Sequence, residues 1–274
     1  MSNAPDTSFV PELDARQRAM LAEMGVRVWA PKSAPAKAPA LVAHAPEPTL
    51  VSPTAPTPGP VPVAEPAPAQ LFAPTPSAQA RPASPVATLD WPALREAVAG
   101  CQACGLCQGR TKTVFGVGDE QADWMVVGEA PGENEDLQGE PFVGAAGQLL
   151  DNMLKAVGRS RTGQGAQGAY IANVLKCRPP ANRNPQPMEV AQCEPYLARQ
   201  VALVKPKVIV AMGRFAVQAL LKTNEPIGRL RGQVHHYEGV PVIVTYHPAY
   251  LLRTPTDKGK AWADLCLAMA QLPD

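Results

Sequence analysis

The chain has 274 residues, enough for one or two domains with hydrophobic cores, and a formal net charge of only +1. This balance excludes a protein that holds nucleic acid by bulk positive charge, so any such contact must come from a local basic patch. No apolar run approaches the roughly 20 residues of a membrane span, and the first 30 residues lack a secretory signal pattern, so we expect a cytoplasmic protein with reduced thiols.

The N-terminal third divides into two parts by composition. Residues 12–30 have apolar side chains at 13, 20, 21, 24 and 28, a spacing compatible with one amphipathic helix that Gly25 stops, within an interaction element spanning 1–30. Residues 31–90 contain 16 of the 32 prolines. They lack the large apolar side chains that would offset the entropy of ordering, so they are predicted to be a disordered, partly polyproline-II linker. Residues 91–274 have the pattern of one compact domain.

Five cysteines of this domain form two groups, Cys101, Cys104 and Cys107 in the first and Cys177 and Cys193 in the second. A C-x2-C turn directs two thiolates to one side of a tight loop, as metal or cluster ligation requires. Zinc and an iron–sulfur cluster fit the spacing equally well. A redox pair is the weaker alternative because no strand precedes the motif, and a purely structural role for the site is open as well.

Apolar runs alternate with helical periodicities through the rest of the chain. Strands are predicted from residue 123 and over 169–176, 207–213 and 240–250, and helices over 145–158, 188–204, 214–222 and 258–271. This alternation indicates a parallel sheet with helices on both faces. Ligands bind beyond the carboxyl ends of such strands, where the chain carries GEAPGENED, NVLKC and YHPAYLLR.

Each of these strand ends carries groups suited to a ligand. The four carboxylates of GEAPGENED (128–136) favour an activated water or a cationic transition state over a bound phosphate, and a solvated acidic loop is the alternative. Phe142 could stack on a flat ligand or belong to the core. Asn173 ends an apolar strand, where an amide needs partners; it could read the edge of a nucleobase or cap a loop.

The last strand end combines polar and apolar groups. His247 could donate a hydrogen bond to a developing oxyanion, although a lone histidine is more often structural. Leu251 and Leu252 follow it and are expected to be exposed beyond the strand. Beside Arg253, two exposed leucines are typical of a wedge that enters nucleic acid.

Together, GEAPG, PFVG-x-AGQLLD, N-V-x-KCRPP, HPAYLLR and the spaced cysteines resemble the family 4, thermophile-type uracil-DNA glycosylases over nearly all of residues 91–274. The resemblance implies a three-layer αβα sandwich with a central four-stranded parallel sheet and a [4Fe-4S] cluster. It also implies hydrolysis of the N-glycosidic bond of deoxyuridine in single- or double-stranded DNA, which starts base excision repair. A catalytically inactive, metal-stapled DNA-binding module is the alternative.

The resemblance also implies roles for single residues. Phe142 stacks on the flipped uracil, Asn173 pairs with its O4 and N3–H, and Glu135 crowds C5 to exclude thymine. His247 stabilises negative charge on uracil O2, and Glu129 stabilises the cationic sugar or orients the water. Gly128 and Gly132 belong to the substrate-binding loop.

Two departures from related patterns qualify these roles. The best-known glycosylase family has a catalytic Asp in GQDPYH where this chain has Ala130, so Glu129 sits one residue early. A sister group forms covalent DNA adducts through a His in a KRRIH loop. This chain has CRPPANRNP in that place, so we expect an enzyme that turns over.

The family's cluster ligands match Cys101, Cys104, Cys177 and Cys193, which leaves Cys107 as a bystander. The Leu-x-x-Met-Gly-Val-x-x-Trp run (21–29) resembles the N-terminal peptide of the bacterial DNA polymerase III psi subunit, which binds the clamp loader. AQLFAP (69–74) has a fainter similarity to a sliding-clamp peptide. An ordinary helix and a linker hydrophobe are the alternatives. We expect a monomeric, nucleoid-associated bacterial protein brought to the replisome by its tether.

Overall fold

The computed structural model describes residues 85–272 together with Met20 and Glu23. The α-helices are α1 (Trp91–Ala99), α2 (Glu133–Gln138), α3 (Gly144–Ala156), α4 (Pro187–Val204), α5 (Arg214–Leu221), α6 (Ile227–Leu230), α7 (Pro248–Arg253) and α8 (Lys258–Met269). The strands are β1 (Val117–Gly118), β2 (Trp124–Gly128), β3 (Ala169–Asn173), β4 (Val208–Met212), β5 (Val234–Tyr237) and β6 (Val240–Thr245). Most of the predicted helix over 12–30, and the predicted linker up to residue 84, lie outside these residues. In the part of the chain that the structure describes, no helix is long and apolar enough to cross a membrane.

The strands form one six-stranded sheet in the order β1-β3-β2-β4-β6-β5. The four central strands run parallel, and they are the four that the apolar runs predict. β1 and β5 pair antiparallel at the two edges, so the sheet is mixed and has six strands, two more than the predicted central four-stranded parallel sheet. Neither edge strand has an apolar run to reveal it: β1 has two residues, one of them Gly118, and β5 (VHHY) alternates exposed and half-buried side chains.

Helices cover both faces of the sheet, as the α/β prediction requires. Along β2, Trp124 and Val126 enter the core shared with α3 and α8, whereas Met125 and Val127 enter the core shared with α4 and α5. All five residues of β2 are buried, as are those of β3 and β4. Burial on both faces explains why these strands read as continuous apolar runs.

The compact domain begins before the predicted boundary at residue 91. A 3-10 helix at Pro85–Thr88 packs Val86 into a small core with Leu94 of α1. Asp90 then caps α1, since its Oδ1 accepts a hydrogen bond from the N–H of Ala93 at 3.0 Å. The end of the proline-rich segment is therefore part of the folded domain.

Candidate active site

An open cleft of about 490 Å³ lies at the carboxyl ends of the parallel strands. Its walls come from the loops after β2, β3 and β6, as predicted. The lining residues include Glu129, Gly132, Glu135, Phe142, Asn173, His247 and Arg253, together with Asn182, Arg183 and Tyr250. The structure thus brings all the sequence-predicted catalytic residues, and most of the predicted base-binding ones, to one cleft.

The registration of β2 with β3 places a glycine beside the predicted base-reading amide. Gly128 pairs with Asn173 across the two strands, and a Cβ at residue 128 would clash with Asn173 Oδ1 and with the Phe142 ring. Asn173 is only 2% exposed. Among the described residues, none forms a hydrogen bond with its side-chain amide, and Asn173 lines the cleft.

Phe142 occupies a turn that other residues hold in place. Its φ is +53°, a left-handed conformation that is unfavourable for an aromatic residue. The Arg161 guanidinium donates hydrogen bonds to the carbonyls of Pro141 (3.1 Å) and Phe142 (2.9 Å) and pairs with Asp151 (2.7 Å). The Phe142 ring is 5% exposed and stacks on the His247 ring, with centroids 5.2 Å apart. The aromatic wall is therefore preorganised.

Glu135 ties the two loops of the cleft together. Its Oε2 accepts a hydrogen bond from the N–H of Gly132 at 3.0 Å, and its Oε1 accepts one from the N–H of Val143 at 2.9 Å. In the first of these bonds the Glu135 carboxylate, at the third position of α2, satisfies the N–H of the N-cap residue Gly132. Because both carboxylate oxygens accept backbone hydrogen bonds, the Glu135 side chain has a fixed position in the wall of the cleft.

Two titratable groups in the cleft have shifted pKa values. Burial raises the pKa of Glu129, and the nearby Arg214 opposes that shift. Burial, with a smaller contribution from Arg253, lowers the pKa of His247 to about 4. The N–H of Ala249 donates to His247 Nδ1 at 3.2 Å, so the proton of the neutral ring resides on Nε2. At neutral pH, His247 is an uncharged hydrogen-bond donor.

The two predicted wedge leucines differ in exposure. β6 ends at Thr245, and His247 caps α7 with Pro248 in its first turn. This helix turns Leu251 into the core, where it is 0% exposed, and leaves Leu252 44% exposed. The expectation that Leu251 is exposed is therefore wrong, because a helix and not an extended segment follows the strand.

The predicted ligand cysteines surround a second, smaller cavity. Cys101, Cys104, Cys177 and Cys193 all line it, and so does Cys107. All are free thiols. No group of three or more His, Cys, Asp or Glu side chains within residues 85–272 is arranged to hold a single metal ion. The cysteines share a cavity without converging on one point.

Two basic side chains accompany these thiols. Arg110 donates a hydrogen bond to Cys177 Sγ at 3.2 Å and another to the carbonyl of Cys101 at 2.9 Å. Lys176 also lines the cavity; burial lowers its pKa to about 7, while Cys193 and Cys177 oppose that shift. The guanidinium charge of Arg110 beside these cysteines suits a centre that carries net negative charge when ligated.

Comparisons with known proteins agree with this arrangement. The family model of the uracil DNA glycosylase superfamily matches residues 115–267. The type-4 uracil-DNA glycosylase of Archaeoglobus fulgidus is 47% identical over 166 residues, covering 58% of this chain and 81% of the relative. That of Pyrobaculum aerophilum is 40% identical over 189 residues, covering 65% and 93%. That of Thermotoga maritima is 42% identical over 165 residues, covering 60% and 83%. The chain belongs to the type-4 uracil-DNA glycosylases.

Sequence reasoning missed several residues of this type-4 glycosylase that shape the cleft. Arg183 lines it from the loop after β3 and pairs with Glu189 through two hydrogen bonds of 2.6 and 3.0 Å. Tyr250 lines it from α7, and its hydroxyl donates to Asp257 at 2.7 Å. The Gln186-x-x-Glu189 spacing at the start of α4 is a capping pattern that could have predicted the position of Glu189, the partner of Arg183. The partners of Arg161 and Tyr250 depend on tertiary structure and leave no local pattern.

Proposed function

We propose that this glycosylase binds a deoxyuridine flipped out of DNA and hydrolyses the bond between uracil N1 and the sugar C1′. The observation that carries the proposal is the Asn173 amide beside the Phe142 ring, both against Gly128. An edge-reading group next to a flat apolar face is the arrangement that a flipped base requires. The type-4 relatives support the same reaction. No observation favours the alternative of an inactive DNA-binding module.

Recognition of the base follows from the groups around it. The Asn173 amide donates to uracil O4 and accepts from N3–H; cytosine presents the opposite donor and acceptor there and is rejected. Phe142 supplies the stacking face. Glu135 is assigned to the C5 side, where its doubly held carboxylate leaves no room for the methyl group of thymine. Gly128 and Gly132 keep the floor of the site free of side chains.

The chemistry moves one electron pair and one water molecule. As the N1–C1′ bond breaks, the pair leaves with uracil, and negative charge develops on O2. His247 Nε2–H donates to that oxygen and stabilises it. Water adds to C1′, and Glu129 stabilises the cationic sugar or orients the water; its raised pKa suits a proton acceptor. The added water gives up one proton, for which Glu129 is the assigned acceptor, and the uracil anion takes up one proton at N1 from solvent. The products are uracil and an abasic sugar with a hydroxyl on C1′.

Contacts with DNA are assigned to the rim of the cleft. Leu252 remains the wedge residue that fills the gap left by the flipped nucleotide, since it is exposed at the end of α7. Arg253 follows it and lines the cleft, where a guanidinium can contact phosphate. Leu251 contributes only by packing under this helix.

The residues around the cysteine cavity fit a [4Fe-4S] cluster held by Cys101, Cys104, Cys177 and Cys193. The support is the donor set: four thiols on one cavity, with Arg110 and Lys176 beside them. Such a cluster would cross-link the loop before β1 (Cys101 and Cys104) to the segment after β3 (Cys177) and to α4 (Cys193). Cys107 is assigned no ligand role. We further propose that the protein acts as a monomer near the nucleoid, and that residues 1–30 recruit it to the clamp loader or sliding clamp.

Release of uracil from a labelled single-stranded oligonucleotide containing one deoxyuridine tests the activity. Asn173→Ala should slow release at least about tenfold because two hydrogen bonds to the base are lost. His247→Ala should slow it about a hundredfold or more because the oxyanion loses its donor. Asn224→Ala and His236→Ala are matched controls, since neither residue lines the cleft. Both site variants cleaving like the wild type would disprove this site, and an inactive wild type would favour the DNA-binding module.

A further inference from the structure

Lys176 lies between the base-reading amide and the cysteine cavity. The residue is 2% exposed. Its Nζ donates to the carbonyl oxygen of Asn173 at 2.7 Å and to Gln200 Oε1 at 2.6 Å. Gln200 is 0% exposed and donates in turn to the carbonyl of Phe115 (2.9 Å) and to the Tyr170 hydroxyl (3.0 Å). The Lys176 Nζ is therefore held by a buried hydrogen-bond network.

Lys176 also belongs to the cysteine site. Lys176 lines the cysteine cavity together with Cys193, and its carbonyl accepts a hydrogen bond from the N–H of Val114 at 2.8 Å. Cys177 follows it directly in the chain. One residue thus joins the wall of the cysteine cavity to the main chain of Asn173.

A buried lysine needs an explanation, because an ammonium taken out of water is costly unless its donors are satisfied. An apolar side chain of similar length would fill the same space at lower cost. The distinguishing feature is the acceptor that Lys176 contacts, the carbonyl of Asn173. That peptide plane sets the direction in which the Asn173 side chain leaves β3, so holding its oxygen orients the amide in the cleft.

We propose that Lys176 is a positioning residue for uracil recognition: it holds the Asn173 carbonyl and so aims the amide at O4 and N3–H of the base. This proposal rests on the proposed function of the cleft. Because Lys176 also borders the cysteine cavity, it links the structural staple to base selectivity. The expected consequence of losing it is a defect specific to uracil and not a general loss of DNA binding.

The test uses the full chain with Lys176→Met, and Lys155→Met as a control that removes the same charge from the exposed face of α3. Affinity is measured for an uncleavable 2′-fluoro-deoxyuridine oligonucleotide and for its thymidine counterpart. We expect Lys176→Met to bind the fluorinated deoxyuridine strand at least about tenfold more weakly, with thymidine binding and absorbance near 400 nm unchanged. Equal losses on both strands, no loss on either, or disappearance of the absorbance would overturn the proposal.

Coupling to Asn173 separates positioning from a general structural effect. In an Asn173→Ala background, Lys176→Met should weaken binding by less than about twofold, since the amide that it aims is gone. A further loss as large as that in the wild type would refute the assignment. If Lys176→Met does not fold, the same double-mutant cycle with Asn173→Ala is measured for Gln200→Leu. This variant removes the second acceptor of the Lys176 Nζ. Failure of the wild type to release uracil would instead remove the proposed function itself.

Discussion

At the scale of single residues, the cleft works through groups whose neighbours decide their chemical state. His247 is the clearest case: its sequence position suggested a hydrogen-bond donor, and its surroundings make it a neutral one. The capping bond at Nδ1 leaves the proton on Nε2, and burial keeps the ring uncharged. The sequence indicated His247 as a candidate, and only the fold indicates its protonation state.

This state predicts a pH dependence of stability. The pKa of His247 is about 4 in the folded protein against 6.5 in an ordinary setting, so the unfolded chain binds the proton more readily between these values. The free energy of unfolding should therefore be fully sustained above about pH 6.5 and fall as the pH drops towards 4. Urea unfolding at pH 7.5, 5.5 and 4.5 measures it. His247→Asn keeps a capping acceptor but does not titrate, so its pH dependence should be smaller; an unchanged dependence would contradict this origin.

Several candidate site residues could be recognised from the sequence because each residue departs from the pattern of its neighbours. Asn173 is a polar group at the end of an apolar strand, and Phe142 is an aromatic residue within a glycine-marked loop. Lys176 and Arg161 could not be found in this way. Their partners are a carbonyl at Asn173 in one case and the turn at Phe142 in the other, and such contacts exist only after the elements have packed.

At the scale of elements, the apolar runs of the sequence predicted the strands that are buried on both faces of the sheet. The central strands and the helices that flank them were recognisable, whereas β1 and β5 were not, because edge strands need no continuous apolar run. For the segment after β6, the predicted type of element was wrong. An apolar run suggested a strand over 240–250, but Pro248 suits the first turn of a helix, and α7 begins there. That one change of element buries Leu251.

The loop that carries the first cysteines makes a second prediction. Cys104→Ser should remove most of the absorbance near 400 nm and lower the thermal unfolding midpoint, because a ligand of the proposed cluster is lost. Cys107→Ser should retain both, although Cys107 borders the same cavity. Iron and sulfide content and the absorption spectrum of the purified variants measure this. The reverse result would exchange the roles of the two cysteines, and a colourless, zinc-containing wild type would rule out the cluster.

At the scale of the whole molecule, the catalytic domain is joined to an N-terminal segment by the proline-rich stretch. Two side chains of that segment lie on the domain: Met20 packs against the core beside α3 and α8, and Glu23 pairs with Lys155 at 3.0 Å. Such an exposed ion pair is worth about 1 kcal/mol or less. The Glu23–Lys155 ion pair by itself would therefore present little obstacle to a partner that binds this segment.

Recruitment to the replisome is the prediction at this scale. A flexible coil of about 60 residues has a root-mean-square reach of roughly 45 Å, and a proline-rich linker is more extended than that. Binding through residues 1–30 would therefore raise the local concentration of the glycosylase at new DNA. Full-length protein should recover clamp-loader subunits in a pull-down, and a chain lacking residues 1–30 should not. Both should release uracil from a free oligonucleotide at the same rate, because the described residues that line the cleft lie between Glu129 and Arg253. Equal recovery by both chains would end the recruitment hypothesis, whereas slower uracil release by the shortened chain would show that the segment supports the domain itself.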